Sequence, residues 1–334
     1  MNPEAGVTQK WIEALTQIQL AHSEDLAQVG ARIEMLLDSD FEPINEVLEH
    51  LFSKSGKMIR PVLLLMAADR TCAESEKLIS LGASVELIHT ASLVHDDTID
   101  SSSYRRGVET LNSKWNHKTS VIIGDYLLAR AFSEIASVGS LDVLRKLTGA
   151  CRALASGEMR QMALEGNLDA REEDYFVFVR EKTGSLFGAT CSVAATVSGG
   201  GYRDELERFG VLFGSIFQIT DDLLDYPRFS VNSGKPTGLD MRERKMTLPL
   251  IHSLSRMSSG ARAEFEEAFS PAGDLSDETA SALQEIVIEN GGLDYAWSRA
   301  VELAGEAAGL IERLDSERAA RLKVLVDLIV ERDR

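Results

Sequence analysis

Apolar residues recur at helical spacing along nearly the whole chain, and this pattern limits the possible fold more than any other feature. Only seven prolines interrupt the 334 residues, and proline is the residue that most strongly breaks a helix interior. No repeat of fixed period, no low-complexity segment and no change in composition marks a domain boundary. We therefore predict one all-α domain over residues 1–334, a bundle of roughly ten to thirteen helices.

Glycine-rich points divide the helical pattern into segments. Gly139, Gly199 to Gly201 and Gly291 to Gly292 are typical helix ends, because glycine takes the left-handed conformation that closes a helix at little cost. The stretch 269–277 mixes Ser, Pro, Gly and Asp and is predicted to be a loop. The longest predicted helical runs are 10–37, 81–100, 121–136, 141–164, 174–198 and 204–226.

Composition and charge restrict the partners and the compartment. The formal net charge is −18, whereas nucleic acid is bound by basic surfaces, so we expect no nucleic-acid partner. Cys72, Cys151 and Cys191 are widely spaced without a C-x-x-C pair, which is typical of reduced thiols in a cytoplasmic protein. The first residues do not resemble a secretory signal, and no run of about 18 apolar residues occurs. We therefore expect a cytoplasmic chain without a membrane span.

The predicted helix 81–100 carries two carboxylates one turn apart. His89, Ser92, Asp96 and Asp100 lie at i, i+3, i+7 and i+11 and so share one helix face. Like charges at this spacing repel and cost helix stability unless a cation lies between them. Oxygen ligands of this kind favour Mg²⁺ over Zn²⁺. A solvated acidic helix end is the alternative, and it is the more common explanation of a single Asp-Asp pair.

A second apolar helical run repeats this acidic pattern. Asp221, Asp222 and Asp225 have the same Asp-Asp-x-x-Asp spacing as the first cluster, in which Asp97 follows Asp96. A solvated helix end does not predict this repetition. Two such clusters on two helices can face each other across a cavity.

Lysines and arginines stand next to the aspartate clusters or at helix ends, although the chain as a whole is acidic. Each of them alone is best explained as a solvated surface charge. Together with Mg²⁺ they suit a diphosphate, because the metal bridges phosphate oxygens to carboxylates while guanidinium groups bind the remaining oxygens in pairs. The sequence has no Gly-x-x-x-x-Gly-Lys-Ser/Thr loop, so an ordinary nucleotide site is not expected. The residues concerned are Lys57, Arg60, Arg105, Arg106, Lys182, Lys235, Arg242, Arg244 and Lys245.

Taken together, several segments closely resemble the trans-isoprenyl (polyprenyl) diphosphate synthases. The resemblance follows the family's order over roughly Lys57 to Leu250, and the set is highly specific although any one motif is weak. The segments are Gly56-Lys-Met-Ile-Arg-Pro61, Ile88-His-Thr-Ala-Ser-Leu-Val-His-Asp-Asp-Thr-Ile-Asp100, Arg105-Arg-Gly107, Gly124-Asp-Tyr-Leu-Leu-Ala129, Lys182-Thr183, Phe217-Gln-Ile-Thr-Asp-Asp-Leu-Leu-Asp225 and Lys245-Met-Thr-Leu-Pro249.

The resemblance implies an all-α bundle of the isoprenoid synthase type around a central cavity. It also implies a homodimer that joins isopentenyl diphosphate head to tail to an allylic diphosphate, with three Mg²⁺ ions once diphosphate is bound. Peripheral membrane contact would accompany release of the apolar product. The metals and cations would stabilise charge on the departing diphosphate, so that the allylic carbon ionises in a pocket that keeps water out.

Motif positions carry the family's roles onto residues of this chain. The resemblance implies that the Mg²⁺ ligands are Asp96, Asp100 and Asp221, with Asp97, Asp222 and Asp225 completing or supporting the two clusters. The allylic diphosphate would be held by Arg105, Lys182 and Lys235. Isopentenyl diphosphate would be held by Lys57, Arg60, His89 and Arg106, with Thr183 and Gln218 near the reacting carbons.

Two positions depart from the family pattern. Ser55 stands where the family often has a second glycine before Gly56, and we expect no effect. Arg244 stands where glycine is usual, which leaves the conformation of that loop and the role of Lys245 open.

Product length is predicted from the helix that leads into the first cluster. Because side chains on a helix tilt toward its N-terminus, a chain anchored at Asp96 would grow past Ser92, Ile88 and Val85, a wall for about four or five isoprene units. Short-chain members of the family often have an aromatic residue four or five positions before the first Asp, where this chain has Ser92 and Ala91. We predict a medium or long product of six or more units, with geranylgeranyl diphosphate as the alternative. Small residues here could also simply allow close helix packing.

Three other functions compete with this prediction. His95-Asp96 spells the doublet of the HD metal phosphohydrolases, but that site needs further histidines and leaves the second aspartate cluster unexplained. A terpene cyclase would share the fold and the first cluster, but not a second-substrate site such as Lys57, Arg60 and His89. A non-catalytic partner subunit is disfavoured because both clusters are intact.

Overall fold

A computed structural model describes residues 13, 15–54, 56–105, 107–230, 237–269 and 275–331 of the chain. From Ser23 onward, these described residues form 17 α-helices, one π-helical turn and one two-stranded antiparallel sheet. The prediction of an all-α fold is confirmed.

The helices follow one another along the chain with short connections. Those of the first half are α1 (Ser23–Leu37), α2 (Glu42–Leu51), α3 (Ile59–Ala67), α4 (Ser75–Ile99), α5 (Leu111–Lys114), α6 (His117–Ser137) and α7 (Leu141–Leu164). Strands β1 (Tyr104–Arg105) and β2 (Val108–Glu109) form a hairpin between α4 and α5. The second half contains α8 (Glu172–Val179), the π turn (Arg180–Gly184), α9 (Ser185–Val197), α10 (Arg203–Leu224), α11 (Pro227–Ser230), α12 (Leu239–Arg242), α13 (Leu248–Arg256), α14 (Ser259–Phe269), α15 (Asp277–Glu289), α16 (Gly292–Ile311) and α17 (Ser316–Glu331).

The described residues contain more helices than the ten to thirteen predicted, for two physical reasons. Helices α5, α11 and α12 are four residues long, which is too short for a 3.6-residue period to appear in the sequence. The predicted run 174–198 is divided into α8 and α9 by the π turn. Residues 270–274 of the predicted loop lie outside the described part of the chain.

Contacts between residues in space divide the chain into two compact units. The first unit holds residues 18–148 and 190–203. Among the described residues, the second unit holds 13, 15–17, 149–189 and 204–331. The single domain over residues 1–334 stays a prediction.

Helix α4 is the centre of the first unit, where it packs against α1, α3 and α6. Leu81 and Val85 have no exposed surface. A Cβ atom at Gly82 would lie 2.9 Å from Val29 Cγ2, so glycine allows α1 to approach this closely. Among the described helices, α4 is long and apolar enough to cross a membrane by length and composition, but 67% of that window is buried inside the protein. This burial is the pattern of a core helix.

Glycines also set the helix packing of the second unit. A Cβ atom at Gly214 of α10 would lie 2.8 Å from the Cα of Gly184, and one at Gly210 would overlap the carbonyl of Phe187. Phe213 packs edge-on against Phe187 beside this contact. The absence of these side chains therefore brings α10 against the π turn and the start of α9. Helices α13, α15, α16 and α17 pack together in the rest of the unit.

Candidate active site

The first aspartate cluster lies at the end of α4, in the first unit. Asp96 is half-buried and Asp100 is exposed, whereas Asp97 is buried. The Nε–H of Arg105 is shared by both carboxylate oxygens of Asp97, at 2.7 and 2.8 Å. Burial raises the pKa of Asp97, although the Arg105 guanidinium opposes that shift. The ion pair ties the β1–β2 hairpin to the end of α4.

A cavity of about 550 Å³ lies beside this ion pair in the first unit. His89, Asp97 and Arg105 line it, together with Gly56 and Met58 from the segment that precedes α3. The His89 imidazole and the Arg105 guanidinium can donate hydrogen bonds to a phosphate group, whereas several acidic residues line other parts of the same wall. The structure therefore brings together two of the predicted substrate-binding residues, one from each predicted diphosphate site.

Two other basic residues predicted to bind isopentenyl diphosphate, Lys57 and Arg60, are close in sequence to Gly56 and Met58 but are not among the residues that line the cavity. Lys57 is exposed, and its carbonyl oxygen accepts a hydrogen bond from Gln19 Nε2 at 2.7 Å. Arg60 is half-buried in the first turn of α3. Met58 between them has φ +45°, the left-handed region that disfavours residues other than glycine. Arg106 lies outside the described residues, as does Ser55.

The second aspartate cluster lies at the end of α10, in the second unit. Asp221 is exposed, whereas Asp222 is buried and accepts two hydrogen bonds. The hydroxyl of Tyr175 donates to Asp222 Oδ2 at 2.6 Å, and Gln218 Nε2 donates to Asp222 Oδ1 at 2.8 Å. The hydroxyl of Thr183 donates in turn to Gln218 Oε1 at 2.8 Å. Thr183 and Gln218, both predicted to lie near the reacting carbons, are therefore in direct contact.

Asp225 holds the start of α12. Its two carboxylate oxygens accept hydrogen bonds from the backbone N–H groups of Leu239 and Asp240, each at 3.0 Å. Its carbonyl oxygen accepts another from Gln284 Nε2 at 2.8 Å. Lys235, predicted to bind the allylic diphosphate, lies outside the described residues.

Burial raises the pKa values of carboxyl groups in and beside the second cluster. It raises the pKa of Asp222 to about 7, against the hydrogen bonds from Tyr175 and Gln218, and that of Asp225 to about 6. Asp240 is also a carboxylic acid in this group, and burial raises its pKa well above the usual range. The carboxylates repel one another in addition, so a bound cation would stabilise their ionised forms.

Arg244, which stands where the family usually has glycine, adopts a backbone conformation typical of glycine. Its φ is +54°, in the left-handed region where glycine is favoured. Two contacts hold it there: its carbonyl oxygen accepts from the N–H of Gly166 at 2.9 Å, and its Nε donates to the carbonyl of Phe269 at 3.0 Å. The neighbouring Lys245 forms an ion pair with Glu243 at 2.6 Å. The loop therefore has a backbone conformation that favours glycine, although the residue at this position is Arg244.

Lys182 and Thr183 lie in the π turn between α8 and α9. Lys182 donates a hydrogen bond to Gln161 Oε1 at 2.8 Å and pairs with Glu158. A Cβ atom at Gly157 of α7 would overlap the backbone of Lys182, so α7 and the π turn touch through their main chains. π turns are rare in proteins, and those that occur inside helices often lie at functional sites.

The residues predicted to line the product tunnel lie on α4. Val85, Ile88 and Ala91 are buried, and Ser92 is half-buried, with its hydroxyl donating to the carbonyl of its own helix at His89. The cavity described above follows a neighbouring face of α4, formed by Glu86, His89, Thr90, Leu93, Val94 and Asp97. The tunnel along Ser92, Ile88 and Val85 stays a prediction.

Several residues of the site carry no motif that sequence reasoning could use. Tyr175, Asp240, Glu158 and Gln161 reach site residues only through the fold. Tyr175 stands in the aromatic run Tyr-Phe-Val-Phe, which is more typical of a core helix than of a site. The sequence offered only an indirect indication: a tyrosine in a core helix usually needs a hydrogen-bond partner for its hydroxyl.

The two clusters fit Mg²⁺ by the chemistry of their oxygens. Within the described ranges, no group of three or more His, Cys, Asp or Glu side chains is placed to hold a metal ion. Mg²⁺ is commonly held by one or two carboxylates together with water and substrate phosphates. Asp96, Asp100 and Asp221, which are half-buried or exposed, suit this kind of binding.

The chain is similar in sequence and structure to known prenyl-chain synthases. It matches the polyprenyl synthetase family over residues 41–286. It is 35% identical to the octaprenyl diphosphate synthase of Haemophilus influenzae over 96% of this chain and 98% of that protein. It is also 35% identical to the all-trans-nonaprenyl-diphosphate synthase (geranyl-diphosphate specific) of Rhodobacter capsulatus, over 87% of this chain and 90% of that protein. A crystal structure of a decaprenyl diphosphate synthase from Rhodobacter capsulatus superposes with a TM-score of 0.90 at 35% identity, covering 96% of this chain and 99% of that one.

The chain therefore belongs to the polyprenyl synthetase family. The resemblance, the isoprenoid synthase fold and the class of enzyme, a polyprenyl diphosphate synthase, are confirmed. The names of the relatives favour a medium or long product over geranylgeranyl diphosphate. The HD alternative gains no support, since the family match over residues 41–286 is to the polyprenyl synthetases.

Proposed function

We propose that this protein is a Mg²⁺-dependent enzyme that condenses isopentenyl diphosphate head to tail with an allylic diphosphate. Its product is a medium- or long-chain all-trans polyprenyl diphosphate. One observation carries the proposal: both Asp-Asp-x-x-Asp clusters divide their carboxylates in the same way. The second aspartate, Asp97 or Asp222, is buried against protein donors, whereas the first, Asp96 or Asp221, is half-buried or exposed.

This division gives each carboxylate a role. Asp96, Asp100 and Asp221 hold Mg²⁺, which when bound neutralises charge on the allylic diphosphate as it departs. Asp97 and Asp222 do not bind the metal directly and instead orient their neighbours. Asp225 supports the second cluster by holding the start of α12, the helix that precedes Lys245.

The basic residues hold the two substrates. Arg105, Lys182 and Lys235 bind the allylic diphosphate, and Lys57, Arg60, His89 and Arg106 bind isopentenyl diphosphate. The contacts of His89 and Arg105 with one cavity support this assignment. Thr183 and Gln218 orient the reacting carbons, and the pocket excludes water from the allylic cation.

The assembly and compartment are also proposals. We propose a cytoplasmic homodimer, with peripheral membrane contact when the product leaves. Val121 and Ile122 on α6 are 46% and 62% exposed, which suits an apolar contact with a second copy. The cysteines are free thiols, as expected in a reducing compartment.

Replacing one predicted metal ligand at a time tests the proposal. Asp96→Ala and Asp221→Ala should each reduce condensation by at least about a hundredfold, because a positioned metal supplies several kcal/mol of charge stabilisation. Circular dichroism should show an unchanged helical fold. Asp142→Ala, which removes an exposed carboxylate from α7, should retain full activity. Near-normal product formation by both site variants would refute the metal assignment.

A further inference from the structure

A row of hydrogen bonds in the second unit runs from a fully buried tyrosine to Thr183. Tyr175 has 0% exposed surface, and its hydroxyl donates to Asp222 at 2.6 Å. Gln218 donates to the other oxygen of Asp222, and Thr183 donates to Gln218, each at 2.8 Å. No family motif quoted above includes Tyr175, and none of the roles proposed above uses it.

The position of the Tyr175 hydroxyl is fixed by its surroundings. Its ring packs edge-on against the ring of Phe178, also on α8, with ring centroids 5.1 Å apart. Asp222 and Gln218 lie one turn apart on α10, while Tyr175 and Thr183 lie at the two ends of the segment formed by α8 and the π turn. The hydrogen bonds therefore connect α10 to α8 through Tyr175 and to the π turn through Thr183.

The row also has a direction. Asp222 accepts from both Tyr175 and Gln218, so Gln218 turns its amide nitrogen toward Asp222 and its oxygen toward Thr183. Thr183 must then use its hydrogen to donate to Gln218, which leaves its hydroxyl oxygen as an acceptor. Without the Tyr175 hydroxyl, one oxygen of Asp222 loses its donor and the carboxylate is free to rotate.

We propose that Tyr175 is a positioning residue for the condensation. It acts through Asp222 and Gln218, and it holds the hydroxyl oxygen of Thr183 toward the reacting carbons. The inference rests on the proposed function, because that function gives Thr183 its place beside those carbons.

Tyr175→Phe tests the inference, because it removes the hydroxyl and keeps the ring. We expect kcat for the first condensation to fall about tenfold, while KM for both substrates stays within about twofold. The matched control is Tyr295→Phe. Tyr295 also donates to a carboxylate, that of Glu172 at the start of the same helix α8, at 2.5 Å. The control should keep kcat within about twofold of the wild type.

A double-mutant cycle separates positioning from a general loss of structure. If Tyr175 acts through Thr183, then Tyr175→Phe should lower kcat much less in a Thr183→Val background than in the wild type. A purely structural role would lower kcat by the same factor in both backgrounds. That result, or a wild-type kcat in Tyr175→Phe, would overturn the inference.

Asp222→Asn provides a second test should Tyr175→Phe not fold. The new amide nitrogen faces either Gln218, whose side chain must then turn over, or the Tyr175 hydroxyl, which must then accept instead of donate, so one of these hydrogen bonds is reversed in either case. We expect a similar loss in kcat at saturating Mg²⁺, whereas an unchanged kcat would overturn the inference. Failure of the proposed function looks different, because the wild type itself would then form no condensation product.

Discussion

At the residue scale, the aspartate clusters show how one motif produces two kinds of carboxylate. Neighbouring residues on a helix point about 100° apart, so Asp96 and Asp97, or Asp221 and Asp222, cannot face the same surroundings. The spacing of these aspartates could be read from the sequence. Their partners could not, because Tyr175 lies 47 residues from Asp222 along the chain. The same holds for Arg244, whose left-handed backbone depends on contacts with Gly166 and Phe269.

The buried carboxylate of Asp222 should make stability depend on pH in the metal-free protein. Its folded pKa of about 7 lies above the ordinary value of 3.8. Between these values the folded protein holds a proton that the unfolded chain has released, so the free energy of unfolding should fall as pH rises through this window. Urea unfolding in EDTA between about pH 5 and pH 8 measures the effect. Asp222→Asn should show a shallower fall, and an equally steep fall in both proteins would contradict the assignment.

At the element scale, the π turn is the feature that sequence periodicity could not supply. Lys182-Thr183-Gly184 interrupts the apolar run 174–198 at the position of the π turn, but a polar triplet does not by itself indicate a wider turn. The turn becomes visible only through its contact with α7, where Gly157 leaves room for the backbone of Lys182. Helix α7 was predicted with its observed bounds, 141–164, whereas α4 begins at Ser75, six residues before its predicted start.

Gly157→Ala should disturb the π turn and the residues that it carries. The added Cβ would overlap the backbone of Lys182, so we expect a loss of about 1–3 kcal/mol in the free energy of unfolding, together with lower activity. Gly149→Ala on the same helix α7 is the control, because no atom lies within 4 Å of the position of its Cβ. It should be neutral or stabilise by up to about 1 kcal/mol. Equal effects of the two substitutions on denaturant unfolding would argue against this role of Gly157.

Bulky side chains on α4 should shorten the product. Ser92→Phe and Ala91→Phe would fill the predicted tunnel while leaving the metal ligands in place, so the first condensation should continue. Ala91 is fully buried, and its substitution should also lower the melting temperature, whereas Ser92 is half-buried and should cost less. Ser92→Ala is the control and should leave product length unchanged. If product masses are unchanged in both Phe variants, the tunnel does not follow this face of α4.

At the scale of the whole molecule, the sequence predicted the helical class, the family and the kind of chemistry. These conclusions came from patterns repeated along the chain, namely the helical period, two aspartate clusters and the basic residues near them. The one-turn helices and the cavity beside His89 and Arg105 depend on contacts between distant residues, so no local pattern predicted them. The two units likewise combine segments that are far apart in sequence.

Product sizing by mass tests the proposed activity most directly. Purified protein is incubated with Mg²⁺, labelled isopentenyl diphosphate and a short allylic primer, with matched reactions that lack the primer or contain EDTA. We predict an all-trans polyprenyl diphosphate of six or more isoprene units, formed only when both substrates and Mg²⁺ are present. Product that stops at geranylgeranyl diphosphate would contradict the predicted length, and phosphate release from the primer alone would contradict the proposed reaction.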